Sequence, residues 1–422
     1  MNKALQQFDS QHVWHPFDVL HAQNIMVERG EGVYLHTTDG RKIIDAISSW
    51  WVNIHGHAQP DIAKAIYDQA LKLEQVIFSG FTHSPAIVLA ESLLKILPFS
   101  YDQIFYSDNG STSVEVALKL AMQYWHNQGI EKTKIVALEG AYHGDTFGAM
   151  AVGERSVFSK PFQKYLFDVA VLPLHSETAT ECVAHFEALA SKGEVAAFIY
   201  EPLIQGAAGM LMYEPHLLQS LLEIAYKYNI LCIADEVMTG FGRTGKLFAS
   251  EYVSIAPDMV CMSKGITGGF LPLGVTAINE KVSSQFQSTE KEKRFYHGHS
   301  YTANPLSCAS GNASLKLLLA DKCQTQIQNI STAHSAFLNK IKNHSKIVRV
   351  QALGTILSIE LQVDGGTSYF SNKRNELYKF FLDRDILLRP LGNVIYILPP
   401  YVINEEQLNK IYNAIDELLT TL

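Results

Sequence analysis

Charge is scarce in this 422-residue chain: Asp, Glu, Lys and Arg make up only 18%, against 47% hydrophobic residues and a mean hydropathy of +0.03. A chain this long and apolar can bury a large core, and sparse surface charge also suits a protein that packs against another subunit. Positive charge is particularly short. The formal net charge is -8, and no basic cluster interleaved with aromatics occurs, which excludes an obvious nucleic-acid surface. Cysteine is sparse too. The five residues Cys182, Cys232, Cys261, Cys308 and Cys323 are odd in number and lack ligand spacing, which argues against a disulfide framework or a thiolate metal site. There is no apolar run of about 18 residues, and the opening MNKALQQFDSQHVWHPF lacks a signal-peptide core. A soluble cytoplasmic protein is the expectation.

What is present is alternation. Short apolar runs (IFYSD, KIVALEG, VAVLPL, AAFIYEP, ILCIADEV, DMVCMSK, GVTAIN) are separated by segments with helical periodicity. That pattern predicts an α/β fold with a mostly parallel sheet covered on both faces. The chain ends read differently, with hairpin-like strands near GVYLHTTDGRKIIDAI and long helices followed by short strands after residue 315. The expected division is a large α/β domain over 56–314 and a smaller α+β domain built from 1–55 and 315–422.

Two of the apolar runs end on residues of opposite charge. ILCIAD closes on Asp235, and DMVCMSK on Lys264. A lysine amine that can hold an aldehyde covalently, and a carboxylate that can keep a pyridine nitrogen protonated, are the two groups pyridoxal phosphate (PLP) chemistry requires. Both are offered here from rigid strand ends, where open α/β sheets gather their ligands.

Other segments supply supporting parts. In DNGSTSVEVALKLAMQYW, residues 108–125, Val114, Leu118, Ala121, Met122 and Trp125 recur at helical spacing, and Thr112 with Glu115 fits a capping box. The amides of Gly110, Ser111 and Thr112 could then face a phosphate, although any capped turn reads alike. Tyr142, in GAYHGDTFGAM, could stack on a flat ring, with Asp145 as a hydrogen-bond partner, or simply pack. Glu201 ends a further strand run and is expected beside Asp235. The pairs His55/His57 and His297/His299 read as hydrogen-bonded histidines rather than metal ligands, for want of acids or thiols at ligand spacing. Trp50 and Trp51 could divide pocket wall and core between them. Arg389, amid apolar neighbours, wants a carboxylate partner. The rival reading comes from GFGRTG, 240–245, which satisfies G-x-G-x-x-G. Its glycines stand five residues past the strand-end acid, and the following KLFASEYVSIAPD is too short for the crossover helix of a dinucleotide fold.

Together these segments resemble the class III, fold-type-I aminotransferases over essentially the whole chain, from HVWHPF to the LPPY ending at Tyr401. DEV…GFGRTG and SKG match the class. SSWW, YHGDTFGAM and RP-G…Y…PPY are similar to the branch that aminates 8-amino-7-oxononanoate in biotin biosynthesis. The resemblance implies PLP as cofactor, with Lys264 bonded to it, Asp235 on its ring nitrogen, Gly110 and Ser111 on its phosphate, and Tyr142 and Val237 on opposite ring faces. It also implies an obligate homodimer, in which a loop carrying Gly298, His299 and Ser300 reaches the phosphate of the partner subunit's cofactor. Trp50, Gly298 and Arg389 would contact substrate, Arg389 through its carboxylate, with Tyr396 and Trp51 as lesser contacts. Two positions depart from the pattern. Phe17 stands where H-P-Y is usual, which leaves the amino donor open between S-adenosylmethionine and lysine. Ser300 lies in G-H-S where some members have G-P-T, and it retains the hydroxyl. The alternatives are another class III ω-amino acid aminotransferase, an aminomutase, or a catalytically silent relative.

Overall fold

The computed structural model describes residues 2–174, 179–363 and 373–421. Seven strands form its central sheet: β1 (Gln103–Ser107), β2 (Lys134–Leu138), β3 (Val169–Leu172), β4 (Val195–Tyr200), β5 (Leu231–Asp235), β6 (Met259–Met262) and β7 (Gly274–Ile278). Each coincides with one of the seven apolar runs of the sequence, although β1 and β4 begin one residue earlier. Their order is β1-β7-β6-β5-β4-β2-β3. Every pairing is parallel except those of β7, which runs antiparallel to both neighbours. The reason is local: the link from β6 to β7 holds only the 3-10 turn Lys264–Thr267, not a covering helix that would carry the chain back for a parallel strand. Every residue of β4 and β5 is buried, as expected where helices cover both faces.

Helix α1 (Gly110–Asn127) leaves β1 and packs on β6 and β7 through a face that includes Val114, Leu118, Ala121 and Trp125. Met122 lies at the rim of that face and is exposed. The capping box differs from the sequence expectation. Asn109, not Thr112, is the N-cap: its side chain accepts from Thr112 N–H at 2.9 Å, and the Thr112 hydroxyl accepts in return from Asn109 N–H at 3.1 Å. Glu115 is engaged elsewhere, accepting from the Thr146 hydroxyl at 2.5 Å and from Gly148 N–H at 2.7 Å, where it caps the next short helix.

Two smaller sheets join the chain ends. Val27–Glu31, Tyr34–Thr37 and Lys42–Asp45 form an antiparallel set, completed by Ile386–Leu387 in parallel with the last. Ile347–Leu353, Ile356–Leu361 and Val394–Ile397 form the other. Helices α2 (Asp321–Ile341) and α3 (Glu405–Thr421) accompany them. Among the described residues no helix is long and apolar enough to cross a membrane.

His334 ties these pieces together. It is fully buried on α2, its Nδ1 lies 2.7 Å from the Tyr412 hydroxyl of α3, and its Nε2 lies 3.1 Å from the Thr355 carbonyl. A carbonyl can only accept, so Nε2 carries the proton and the tyrosine hydroxyl donates to Nδ1. Burial pushes its pKa down to about 4, and burial does the same to His55. The unfolded chain therefore binds these two protons more readily than the folded one. Their contribution to stability is full above the ordinary histidine pKa of 6.5 and is lost as pH falls towards 4. We expect a loss approaching ~3 kcal/mol per histidine at the bottom of that window. Urea unfolding midpoints measured across it test this, and a flat profile for wild type, or a slope unaltered in His334→Gln, would count against it.

Candidate active site

The C-terminal ends of the parallel strands converge on one cavity of about 600 Å³. β5 delivers Asp235, β6 delivers Lys264, and the turns after β1 and β2 deliver Gly110, Ser111 and Tyr142. Val237, Trp51 and Glu201 complete its wall. Of the residues singled out in the sequence, Lys264, Asp235, Gly110, Ser111, Tyr142, Val237 and Trp51 share this space.

Lys264 is half-buried, and its Nζ makes no hydrogen bond or ion pair among the described residues. It lies 4.4 Å from the centroid of the Trp51 ring. Burial pushes the amine down to about 8. Attraction to Asp235 and Glu201 opposes this, and repulsion from Arg243 adds to it. Such an amine has a neutral fraction of about a tenth at pH 7, far more than an ordinary lysine, and it is the neutral form that acts as nucleophile or base.

Asp235 is held from two sides. His143 Nδ1 donates to one of its oxygens at 2.7 Å, and Val237 N–H donates to the other at 3.1 Å. The parallel register Ala234↔Tyr200 sets Glu201 beside it, as the sequence suggested. Burial, with repulsion from Asp235, raises Glu201 to about 7, although His143 opposes the shift. Glu201 is not idle, since it accepts from Tyr142 N–H at 3.0 Å and from Gly206 N–H at 2.9 Å and so anchors the tyrosine backbone. The Tyr142 ring is partly exposed in the cavity, and its hydroxyl pKa is raised by burial and by Asp145.

At the opposite end, the first turn of α1 leaves N–H groups without helical acceptors. Two glycines keep this corner open. A Cβ on Gly110 would lie 2.7 Å from Val237, and one on Gly144, at φ +130, would lie 2.0 Å from Ser111 Oγ.

A second group stands outside the cavity lining. The Arg389 guanidinium lies 4.5 Å from the centroid of Trp50, and Phe17 packs on that indole at 5.4 Å. Arg389 has no carboxylate partner among the described residues. Tyr396 is buried behind Trp51, whose Nε1 donates to its hydroxyl at 3.3 Å. Gly298, His299 and Ser300 do not line the cavity of their own chain. They sit on an exposed loop where His299 N–H donates to the Thr302 hydroxyl and Gln75 holds the Ser300 carbonyl. The GFGRTG segment is a buried packing loop that opens no helix: the Gly245 position touches Gly354, and Arg243 donates to the Pro399 and Trp51 carbonyls.

The family model for aminotransferase class-III matches residues 18–419. The chain belongs to the class III aminotransferases. It is 49% identical over 420 residues to the adenosylmethionine-8-amino-7-oxononanoate aminotransferase of Synechococcus elongatus, covering 97% of this chain and 98% of that one. The similarly named protein of Aquifex aeolicus is 37% identical, with 98% and 96% covered. A crystal structure of the Methanocaldococcus jannaschii protein of that name superposes with a TM-score of 0.92 at 33% identity, over 99% of both chains. As a class III aminotransferase, this protein is a PLP-dependent enzyme of fold type I.

The site fits that cofactor. An amine unpaired among the described residues faces the cavity, a paired carboxylate stands at a strand end, and two positions cannot carry a Cβ where a phosphate would meet a helix N-terminus.

Two features carry little mark in the sequence. Nothing in GAYHGDTFGAM singles out His143, yet a buried strand-end acid needs a buried donor, and the residue next to Tyr142 supplies it. The second is backbone. SSWW, Ser48–Trp51, runs through four positive φ values, 52, 44, 73 and 74°, with no glycine among them. A left-handed turn of this kind costs roughly 1–2 kcal/mol per residue. Nothing in those four letters announces it.

Proposed function

We propose that this aminotransferase converts 8-amino-7-oxononanoate to 7,8-diaminononanoate in biotin biosynthesis, with S-adenosylmethionine as amino donor. The observation that carries this reading is Arg389. It is an arginine without a carboxylate partner among the described residues, set over Trp50 next to the Trp51–Lys264 contact, which suits a ketone that carries a remote carboxylate. The names of the full-length relatives point the same way. Lysine is the second reading for the donor, because Phe17 offers no hydroxyl at the position where the family usually has one.

Bound PLP supplies an electrophilic carbon and an electron-withdrawing ring. The protein does the rest. Gly110 and Ser111 would hold the phosphate. Tyr142 and Val237 would flank the ring, and Asp235, itself oriented by His143, would keep a ring nitrogen protonated. The Lys264 amine, depressed to about 8, would accept and return a proton at the reacting centre. Arg389 and Trp50 fix the distal carboxylate so that the ketone arrives in one register.

We also propose a homodimer in the cytoplasm, with Gly298, His299 and Ser300 serving the partner subunit's cofactor. The exposed Tyr296 and Tyr301 flanking that loop support this, as do the exposed Ile77 and Phe81. The division into a cofactor-binding unit, 56–314, and a smaller unit of 1–55 with 315–422 is part of the same reading. It is supported by a central sheet confined to 103–278 and by the pairing of residues 44–45 with 386–387.

The test is single-turnover discharge of the amine-loaded enzyme. 8-Amino-7-oxononanoate should react far faster than pyruvate or 2-oxoglutarate, and the reverse order would remove the biotin-pathway assignment. In the same assay Arg389→Ala should raise the KM for the carboxylate substrate by roughly 10- to 100-fold, the loss of one charge-assisted pair. An unchanged KM would take Arg389 out of the site.

A further inference from the structure

The left-handed turn Ser48–Trp51 presents one indole to each of the site's two isolated cations, Trp51 to Lys264 and Trp50 to Arg389. The turn is closed, since Trp51 N–H donates to the Ile47 carbonyl at 2.9 Å and Val52 N–H to that of Ser48 at 3.0 Å. Backbone of this kind persists only where its surroundings over-determine it, and it gathers at functional sites. In its leading half the Ser48 hydroxyl donates to the Leu398 carbonyl at 2.8 Å, and Ser49 is held by one carboxylate. Asp45, wholly buried, accepts from the Ser49 hydroxyl at 2.7 Å and from Ile47 N–H at 3.2 Å. His57 Nε2 lies 2.9 Å from the same carboxylate, and Asn53 Nδ2 holds the other ring nitrogen at 3.0 Å. The trailing half is held separately, by Arg243 on the Trp51 carbonyl and Tyr396 on the Trp51 indole.

The geometry points to Asp45 as a positioning residue that sets acceptor specificity: acting through Ser49, it locks the turn and holds the Trp50 indole against Arg389. This rests on the carboxylate-binding role proposed for Arg389. Asp45 lines no part of the cavity and touches neither cation. Because Trp51 has its own anchors and Lys264 is placed by β6, releasing Ser49 frees Trp50 alone. Binding of the distal carboxylate then weakens while proton transfer at Lys264 proceeds as before.

The decisive variant is Ser49→Ala in the full-length, PLP-loaded enzyme. The KM for 8-amino-7-oxononanoate should rise about tenfold with kcat within about twofold, the signature of lost uniform binding. A ketone acceptor lacking a carboxylate should be unaffected. Ser49→Asn, which tolerates left-handed backbone and keeps a donor, should restore KM to within about threefold of wild type. A second readout needs no turnover. In a Trp14→Phe background, which removes the most exposed of the four tryptophans, acrylamide should quench the fluorescence of Ser49→Ala more strongly than that of its parent. An unchanged KM, or an equal rise for the acceptor without a carboxylate, overturns the assignment. If wild type fails to aminate 8-amino-7-oxononanoate, the proposed function falls and the quenching comparison alone decides: equal quenching overturns the role of Asp45, and greater quenching upholds it.

Discussion

Lys264→Ala is expected to lower turnover by at least about 10⁴-fold, the upper range for a lost acid–base group, and to abolish covalent retention of the cofactor. The residue follows β6 at φ 47, in the left-handed region, with its amine inside the cavity and, among the described residues, no hydrogen-bond acceptor to hold it in the charged state. Burial outweighs the pull of Asp235 and Glu201 and leaves the amine near 8, so the neutral form is available at physiological pH. No other lysine lines that cavity. The check is borohydride reduction of the PLP-loaded wild-type enzyme followed by peptide mass spectrometry. The added mass belongs on the peptide bearing position 264 and should be absent from the variant. Mass on a different lysine, or turnover in the variant within tenfold of wild type, would refute the assignment.

Asp235→Asn should slow both half-reactions by roughly 10²- to 10³-fold, the scale of losing one preorganised electrostatic contact in a water-excluded site. The replacement is nearly isosteric and keeps an oxygen for the Val237 N–H, so what it removes is charge. Without that charge, nothing favours a proton on the ring nitrogen, and His143 loses its carboxylate acceptor. A companion signal lies at Glu201, whose raised pKa owes part of its shift to repulsion from Asp235 and should fall in the variant. Stopped-flow absorbance of the first half-reaction measures the main effect. A rate within about fivefold of wild type would mean that Asp235 does not govern the ring nitrogen.

Much of this was legible in the letters. All seven central strands were visible as apolar runs, most plainly the inner ones such as β4 and β5, because strands buried on both faces need uninterrupted hydrophobic sequence. Asp235 and Lys264 stood out because a charge at the end of such a run demands an explanation. Tyr142, Gly110 and Ser111 were legible as parts of strand-to-helix turns, although the cap residue was misplaced, since Asn109 and Thr112 both satisfy the rule and only the backbone path chooses between them. His143 was harder, because its partner lies 92 residues away.

The sequence alone determined the sheet's composition, the two groups of opposite charge at its edge and, through its motifs, the family and the cofactor. Local patterning suffices there because periodicity and strand-end chemistry are properties of contiguous residues. Only the tertiary structure decided that His143 orients Asp235, that Glu201 anchors the Tyr142 backbone, and that Ser48–Trp51 winds left-handed to face two cations. The first two outcomes depend on hydrogen bonds between residues 92 and 59 apart, which no window of neighbouring residues contains, and the third adds to the local Asp45–Ser49 bond the distant anchors Leu398, Arg243 and Tyr396.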